Sequence, residues 1–196
     1  MLIQSSMDKQ LCDALMDGAV GVLPTDTLYG VVCRAADQKA VQRLYALKHR
    51  ESKPGTIIAA SQDQLAELGL SPHDLARAAV YWPGPISVLI PATEPKLAYL
   101  TQGLPELACR IVAAPPELIE LLQKTGPLLT SSANQPGEPP AASVDEAKQY
   151  FADAVDFCID GGDKSSAEPS TLIHLRGDQP EILRQGAGTI VTKETS

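Results

Sequence analysis

Four short polar segments of this sequence carry side chains that could bind phosphate or carboxylate groups. They lie at residues 24–30, 48–54, 131–134 and 169–171 with 183–186, and each follows a stretch whose pattern predicts a strand or a helix. Together they supply hydroxyl, carboxamide, lysine and arginine groups. Arg grips oxyanions through paired hydrogen bonds and Lys supplies a point charge, so these segments predict a site for an anionic ligand.

The second segment brings Lys48, Arg50 and Lys53 together at the predicted end of a helix. Two interpretations stay open. Cations at a helix C-terminus gain about 0.3–1 kcal/mol from the helix dipole, or the three side chains form a cradle for a triphosphate. The sequence has no Gly-x-x-x-x-Gly-Lys-Ser/Thr motif. Side chains would therefore have to do what loop amides do in a P-loop.

The other segments also leave two interpretations open. Arg110 lies within the apolar run 108–112, where a charge must either form a salt bridge or face a cleft. Residues 25–30 and 131–134 form either structural turns with local hydroxyl bonds or ligand contacts. The Ser-rich segment is not a Gly-x-Ser-x-Gly motif, and with three histidines in the chain no catalytic triad can be inferred.

Composition and charge limit the class of protein. The net charge of −8 disfavours nonspecific nucleic-acid binding, although a local basic cleft is compatible with it. Four widely spaced cysteines without a Cys-x-x-Cys pair predict buried free thiols. The N-terminus lacks an export signal and no run reaches 18 apolar residues, so we expect a cytoplasmic protein without a membrane span.

The apolar periodicity predicts an α/β fold, a single domain over residues 1–196 with a mixed, twisted, open sheet flanked by helices. A helix at 38–48 between strands at 19–23 and 56–60 predicts a right-handed crossover and a parallel pair. Ser143 with Glu146 predicts a capping box. Further strands are predicted at 86–90, 108–112, 128–131, 155–159, 171–175 and 181–184. The polar segments at strand ends would converge where such sheets bind ligands.

With Trp82-Pro83-Gly84-Pro85 between the second and third, the four segments resemble the YrdC-like family of threonylcarbamoyl-AMP synthases over roughly residues 18–188. The resemblance implies a YrdC-like domain and a role for each matching position. The residues implied for ATP are Lys48, Arg50, Lys53, Asn134, Ser143 and Arg184, with Lys48 and Arg50 as the catalytic pair. The residues implied for L-threonine are Thr27, Arg110, Ser132 and Ser170.

The resemblance also implies the reaction and its partners. L-threonine, bicarbonate or CO2 and ATP would yield threonylcarbamoyl-AMP and pyrophosphate, with Mg²⁺ carried by ATP rather than held in a protein cage. The product would pass to a downstream threonylcarbamoyl transferase complex for modification of tRNA at A37, with a possible contact to tRNA or double-stranded RNA. The alternatives are an RNA-binding module without catalysis and a carbamoyl-adenylate activity on another acceptor.

The sequence departs from the family at two places. Many members carry a His on the strand after Lys-Pro, where this chain has Ile58 and Ala59, so that contact is missing or replaced. Members often carry Ser or Thr about eight residues after the Asn, where Ser143 could substitute, but its predicted capping role competes.

Overall fold

Ten strands form one sheet across the part of the chain that the computed structural model describes, residues 2–4, 6–48, 53–176 and 179–190. The strands are β1 Leu2–Gln4, β2 Gly21–Pro24, β3 Tyr29–Arg34, β4 Thr56–Ala59, β5 Ile86–Pro91, β6 Glu106–Ile111, β7 Leu128–Ser132, β8 Phe157–Ile159, β9 Thr171–Arg176 and β10 Gln179–Arg184. The helices are α1 Lys9–Met16, α2 Gln38–Leu47, α3 Gln62–Leu68, α4 Pro72–Ala78, α5 Ala98–Thr101, α6 Pro116–Thr125 and α7 Val144–Phe151. Short 3-10 turns lie at Ala79–Tyr81, Pro95–Leu97 and Ala152–Ala154.

The sheet is mixed and open, and helices flank it, as the sequence predicts. Its strand order is β1-β8-β2-β3-β7-β4-β6-β5-β9-β10. The parallel neighbours are β1–β8, β2–β8, β4–β6 and β5–β9. The antiparallel neighbours are β2–β3, β3–β7, β4–β7, β5–β6 and β9–β10.

The predicted parallel pair between the first apolar strand and the strand at 56–60 is wrong. β2 turns back into β3, and β3 pairs with β7, which in turn pairs with β4, each time in antiparallel fashion. β2 and β4 are therefore separated by two strands and run in opposite directions. The prediction failed because β3 begins directly inside the first polar segment, so the hairpin looked like a turn followed by a helix.

Alternation along the strands divides the core into two clusters. Ile57 packs with residues of α2, α3, α4, α5 and α7, whereas its neighbour Ile58 packs with residues of α1 and α6. Successive side chains of a strand point to opposite faces, so each helix group covers one face. On the α1–α6 face the apolar cluster includes Val32 and Leu128, but two residues further along the same strands Gly30 and Thr130 line a cavity. The two helices thus leave part of this face uncovered.

The four cysteines are free thiols, as the sequence predicts. Cys33, Cys109 and Cys158 are buried, which confirms the predicted burial for three of them, whereas Cys12 is half-buried. Burial raises the pKa of the Cys33 and Cys109 thiols well above the ordinary value. Within the described ranges, every helix is too short or too polar to cross a bilayer.

Candidate active site

The uncovered part of the sheet forms the floor of a cavity of about 500 Å³. Its roof comes from the turn between β2 and β3 and from the segments before β9 and at the end of β10. Five of the predicted site residues line it: Thr27, Arg110, Ser132, Ser170 and Arg184. Leu89, Leu104 and Leu172 form an apolar part of the wall. The structure therefore brings these five residues together from three of the four polar segments and from the apolar run 108–112.

Arg110 is 3% exposed and forms a bidentate salt bridge with Asp26. Its Nε donates to Asp26 Oδ2 at 3.0 Å and its Nη2 donates to Oδ1 at 2.8 Å. Its Nη1 donates to Ser87 Oγ at 3.0 Å. The salt bridge that the sequence left open is thus present. It does not exclude a ligand. Of the five N–H groups of a guanidinium, these three bonds use three, and a 3.5 Å bond from Nη2 to Thr27 Oγ1 uses a fourth, which leaves one N–H of Nη1 without a partner among the described residues.

Ser170 and Arg184 lie beside this ion pair. Ser170 Oγ is 2.9 Å from Ser87 Oγ, and Arg184 donates from Nε and Nη2 to the backbone oxygen of Ser170 at 3.2 and 2.9 Å. Burial and the nearby charge of Arg110 lower the pKa of Arg184. Among the described residues Arg184 has no carboxylate partner. An anion would relieve the repulsion between the two guanidinium groups.

We call Asp26, Ser87, Arg110, Ser170 and Arg184 the arginine end of the cavity. It holds two arginines against one carboxylate, in a setting where three of the side chains are at most 4% exposed. The described part of the chain therefore presents net positive charge at this end, which favours a carboxylate or phosphate.

The turn that carries Thr27 is held by its own hydrogen bonds. Thr25 N donates to Leu28 O at 3.0 Å, and Thr25 Oγ1 donates to the same oxygen at 2.7 Å. Thr27 N donates to Thr25 Oγ1 at 3.2 Å. Both threonines are buried, at 3% and 8% exposure. The structural turn and the ligand contact are therefore compatible, since Thr25 supplies the turn bonds while both threonines line the cavity.

Tyr29 and Gly30 follow the turn and hold the roof close to the floor. Tyr29 OH accepts from Gly161 N at 2.7 Å and donates to Gly162 O at 2.9 Å, which fixes the loop that leads to Ser170. Burial is the main cause that raises the pKa of this phenol. Gly30 is required because a Cβ there would collide with Thr130 Oγ1.

Lys48 lies outside the cavity lining and forms what we call the lysine cluster with Ser132 and Asn134. Its Nζ donates to Ser132 O at 2.8 Å, to Asn134 Oδ1 at 2.9 Å and to Asn134 O. Ser132 Oγ donates to Asn134 Oδ1 at 2.7 Å. Lys48 is 3% exposed, and its Nζ is 5.7 Å from the centre of the Phe151 ring. In this arrangement Lys48 holds the turn after β7, and its assignment to ATP phosphates stays a prediction.

Of the remaining predicted ATP residues that the structure describes, Lys53 and Asn134 do not line the cavity. Arg50 lies outside the described residues. Lys53 precedes the lining residue Pro54, and its backbone N donates to Gln102 Oε1 at 3.1 Å. Asn134 donates from Nδ2 to Glu138 O at 2.7 Å and does not line the cavity. Their contacts with ATP stay predictions.

Ser143 is the N-cap of α7 and does not line the cavity. Its Oγ accepts from Glu146 N at 3.3 Å, which confirms the predicted cap. The competing structural role is therefore the one that the geometry supports. At the other departure, Ile58 and Ala59 are fully buried in the two apolar clusters.

Glu106 lines the cavity at the opposite end of β6 from Arg110. Its Oε1 is 2.7 Å from His174 Nε2, and His174 Nδ1 accepts from Arg176 Nε at 2.7 Å. Because Nδ1 is an acceptor, the hydrogen of a neutral His174 lies on Nε2 and is donated to Glu106. One negative charge at this end thus faces the positive arginine end.

Sequence reasoning missed Asp26, Ser87 and Glu106. Asp26 stands within the first polar segment, and its carboxylate close to two threonines could have indicated a site residue. The sequence around Ser87 and Glu106 does not indicate a site, since each is a single polar residue at or near the end of an apolar strand.

This architecture and this cavity define an α/β protein with an open mixed sheet whose cavity carries net positive charge at its arginine end. The chain belongs to the Sua5/YciO/YrdC family. The family model, described as "Telomere recombination", matches residues 13–186, which is more than half of the chain.

Curated relatives and solved structures agree with this membership. The chain is 38% identical over 177 residues to a protein of Chromohalobacter salexigens named threonylcarbamoyl-AMP synthase, covering 88% of this chain and 93% of that protein. It is 32% identical to a Vibrio parahaemolyticus protein of the same name, covering 91% and 98%. Sua5 of P. abyssi complexed with L-threonine aligns with a TM-score of 0.82 at 28% identity, over 95% of this chain and 58% of that one. This chain thus spans little more than half of that structure.

Proposed function

We propose that this chain is an L-threonylcarbamoyl-AMP synthase, which forms threonylcarbamoyl-AMP and pyrophosphate from L-threonine, bicarbonate or CO2, and ATP. The observation that carries the proposal is the arginine end. There one N–H of Arg110 Nη1 has no partner among the described residues, and Nη2 makes only a 3.5 Å bond to Thr27 Oγ1 beside its bond to Asp26. A carboxylate accepts N–H bonds from the terminal nitrogens of an arginine. The names of the relatives and the threonine complex of Sua5 support the choice of ligand.

The size of the cavity suits the proposal. Ligand pockets commonly measure about 300–1,000 Å³, and this one is about 500 Å³. Arg110 and Ser170 would take the carboxylate of threonine, with the hydroxyls of Thr27 and Ser132 around the rest of the amino acid. Arg184 is next to that pocket and would take a phosphate of ATP.

The reaction needs little covalent help from the protein. The threonine amine adds to CO2 and loses a proton, which gives a carbamate. A carbamate oxygen then forms a bond to the α-phosphorus of ATP while the bond to the β-phosphate oxygen breaks, and pyrophosphate leaves. Two arginines beside the reactants would position them and neutralise charge that develops on the phosphates, which are the main contributions expected for such a transfer.

Mg²⁺ enters this proposal as part of the ATP substrate. The described residues contain no group of three or more His, Cys, Asp or Glu arranged to hold a metal. Asp26 is bonded to Arg110 and Glu106 to His174, so these carboxylates already have partners. Mg²⁺ would therefore bridge ATP phosphates and keep most of its waters.

The wider setting follows from the product. Threonylcarbamoyl-AMP is an activated acyl donor, so a transferase must consume it, and the proposed acceptor is tRNA at A37 in the cytoplasm. A direct contact with tRNA belongs to the same proposal.

Pyrophosphate release tests the function directly. We expect release when the protein receives MgATP, L-threonine and bicarbonate together, and background rates when any one is omitted. Release that ignores threonine would favour a carbamoyl-adenylate activity on another acceptor. Absence of release together with tight binding of double-stranded RNA would favour the RNA-binding module.

A further inference from the structure

Asp26 and Ser87 together decide which hydrogen-bond donors the arginine end presents. We infer that both are positioning residues, which direct Arg110 and Ser170 to the carboxylate of a bound amino acid. Neither is expected to touch the reacting atoms. The inference rests on the proposed function, because it takes the amino acid to bind at Arg110.

Most N–H groups of Arg110 already have acceptors within the protein. Asp26 accepts from Nε and from one hydrogen of Nη2, at 3.0 and 2.8 Å, and so occupies one whole edge of the guanidinium. Ser87 accepts one hydrogen of Nη1 at 3.0 Å. Thr27 Oγ1 stands 3.5 Å from Nη2, at the limit of a hydrogen bond. One N–H of Nη1 remains without a partner among the described residues, and the long bond from Nη2 to Thr27 is the one that a carboxylate can replace most easily.

The bond from Arg110 to Ser87 fixes the direction of the hydrogen bond between Ser87 and Ser170. Arg110 can only donate, so Ser87 Oγ is the acceptor in their bond. Ser87 is fully buried, and Ser170 Oγ at 2.9 Å is the acceptor that the described chain offers for its hydrogen. If Ser170 donated instead, the buried hydrogen of Ser87 would have no partner, which is costly.

These bonds decide whether the Ser170 hydroxyl offers a ligand a hydrogen-bond donor or an acceptor. Its Oγ accepts from Ser87 and, at 3.3 Å, from Nη2 of Arg184. Its own hydrogen then has no acceptor among the described residues. Ser170 therefore presents a donor to the cavity, which suits an oxygen of the amino acid and not its ammonium group. Ser170 and Arg110 thus both offer donors to an anionic group: the hydrogen of Ser170 Oγ, the remaining N–H of Nη1, and the N–H of Nη2 that makes only the 3.5 Å bond to Thr27.

The two possible roles of Asp26 predict opposite changes in the affinity for a carboxylate ligand when its charge is removed. If Asp26 only neutralised Arg110, then Asp26→Asn would remove a competing anion and strengthen the binding of a carboxylate ligand. If Asp26 positions Arg110, the same substitution places amide N–H groups against guanidinium N–H groups, turns the guanidinium away and weakens that binding.

The experiment measures binding by calorimetry and does not need turnover. The full-length wild type, Asp26→Asn and Ser87→Ala are titrated with L-threonine, with L-threoninamide and with MgATP. Thr125→Val is the matched control, because it also removes a buried hydroxyl, which donates to Leu121 O on α6 away from the cavity. Thermal denaturation checks that each variant is folded.

We expect Asp26→Asn to weaken threonine binding roughly 10- to 150-fold, the range of a charge-assisted hydrogen bond. Ser87→Ala should weaken it roughly 2- to 10-fold, as for a neutral bond. The preference of wild type for threonine over threoninamide should fall in both variants. The affinity of both variants for MgATP, and the affinity of Thr125→Val for threonine, should change less than about twofold.

The opposite results are equally clear. Tighter or unchanged threonine binding in folded Asp26→Asn overturns the positioning role, as does an equal loss for threonine, threoninamide and MgATP. Should Asp26→Asn not fold, Ser87→Ala decides alone. Wild type that binds no threonine overturns the proposed function itself, and this is distinguishable from variants that bind threonine as wild type does.

Discussion

The arginine end and the lysine cluster each place a buried cation beside a serine near the end of a strand, yet they differ in what the cation meets. Lys48 directs its ammonium group to three oxygens of residues 132 and 134, all of them neutral. Arg110 meets a carboxylate and two hydroxyls, and one N–H of its Nη1 has no partner among the described residues and stays available to the cavity. A buried cation stabilises the fold when all of its N–H groups donate to protein atoms. It can bind a ligand when an N–H group at a cavity has no protein acceptor.

The largest expected effect that separates the two regions is at Arg110. Arg110→Ala leaves the buried Asp26 carboxylate unpaired, and breaking one side of a buried ion pair costs about 3–5 kcal/mol. Urea denaturation should show a loss of that size in the free energy of unfolding, and threonine-dependent pyrophosphate release should disappear.

A double variant separates stability from binding at this position. Asp26→Asn with Arg110→Gln removes both charges, and we expect it to recover most of the stability without recovering threonine use. If the double variant used threonine as wild type does, Arg110 would not be the carboxylate ligand.

Lys48→Met should have a smaller and different effect. Methionine keeps the length of the side chain and the contact with the Phe151 ring but leaves buried oxygens of the lysine cluster without their donor. We expect a loss of about 1–3 kcal/mol in urea denaturation, with KM rising for both threonine and ATP because Ser132 and Asn134 lose support. An increase of KM for ATP alone, at unchanged stability, would instead show that Lys48 contacts phosphate.

Ser143→Ala should have the smallest effect. Loss of a serine N-cap costs about 0.5–2 kcal/mol, and the KM for ATP should stay unchanged because Ser143 does not line the cavity. Ser71→Ala is the control, since Ser71 caps α4 by the same kind of bond to Asp74 N. The two variants should lose similar stability, and a higher KM for ATP in Ser143→Ala only would restore the nucleotide role of Ser143.

The sequence predicted most elements because their signals are local. Capping serines, the glycines after helices and the apolar alternation of the strands act within a few residues, so the pattern records them. β3 was missed because five of its six residues are buried. A strand buried on both faces shows no alternation, and here it directly follows a polar segment. Strand order also escaped prediction, since it depends on contacts between distant segments.

The candidate site was predictable in its residue types and not in its contacts. Thr27, Arg110, Ser132, Ser170 and Arg184 do line one cavity. The sequence placed Lys48 at the end of a predicted helix and Arg110 within an apolar run, and for both it left a structural role and a ligand role open. Only the bond between Asp26 and Arg110, which lie 84 positions apart, and the carbonyl oxygens around Lys48 show how the two differ.

The partial cover that α1 and α6 give to one face of the sheet has a consequence for how ligand choice could diverge. The apolar residues under these helices hold the fold, and the cavity wall beyond them is built from Leu89, Leu104, Leu172 and short turns. Replacing those three leucines changes the shape that a ligand meets without touching the cluster around Val32 and Leu128. Substitutions in this cavity wall could therefore change which ligand a relative binds while the apolar cluster under α1 and α6 stays the same.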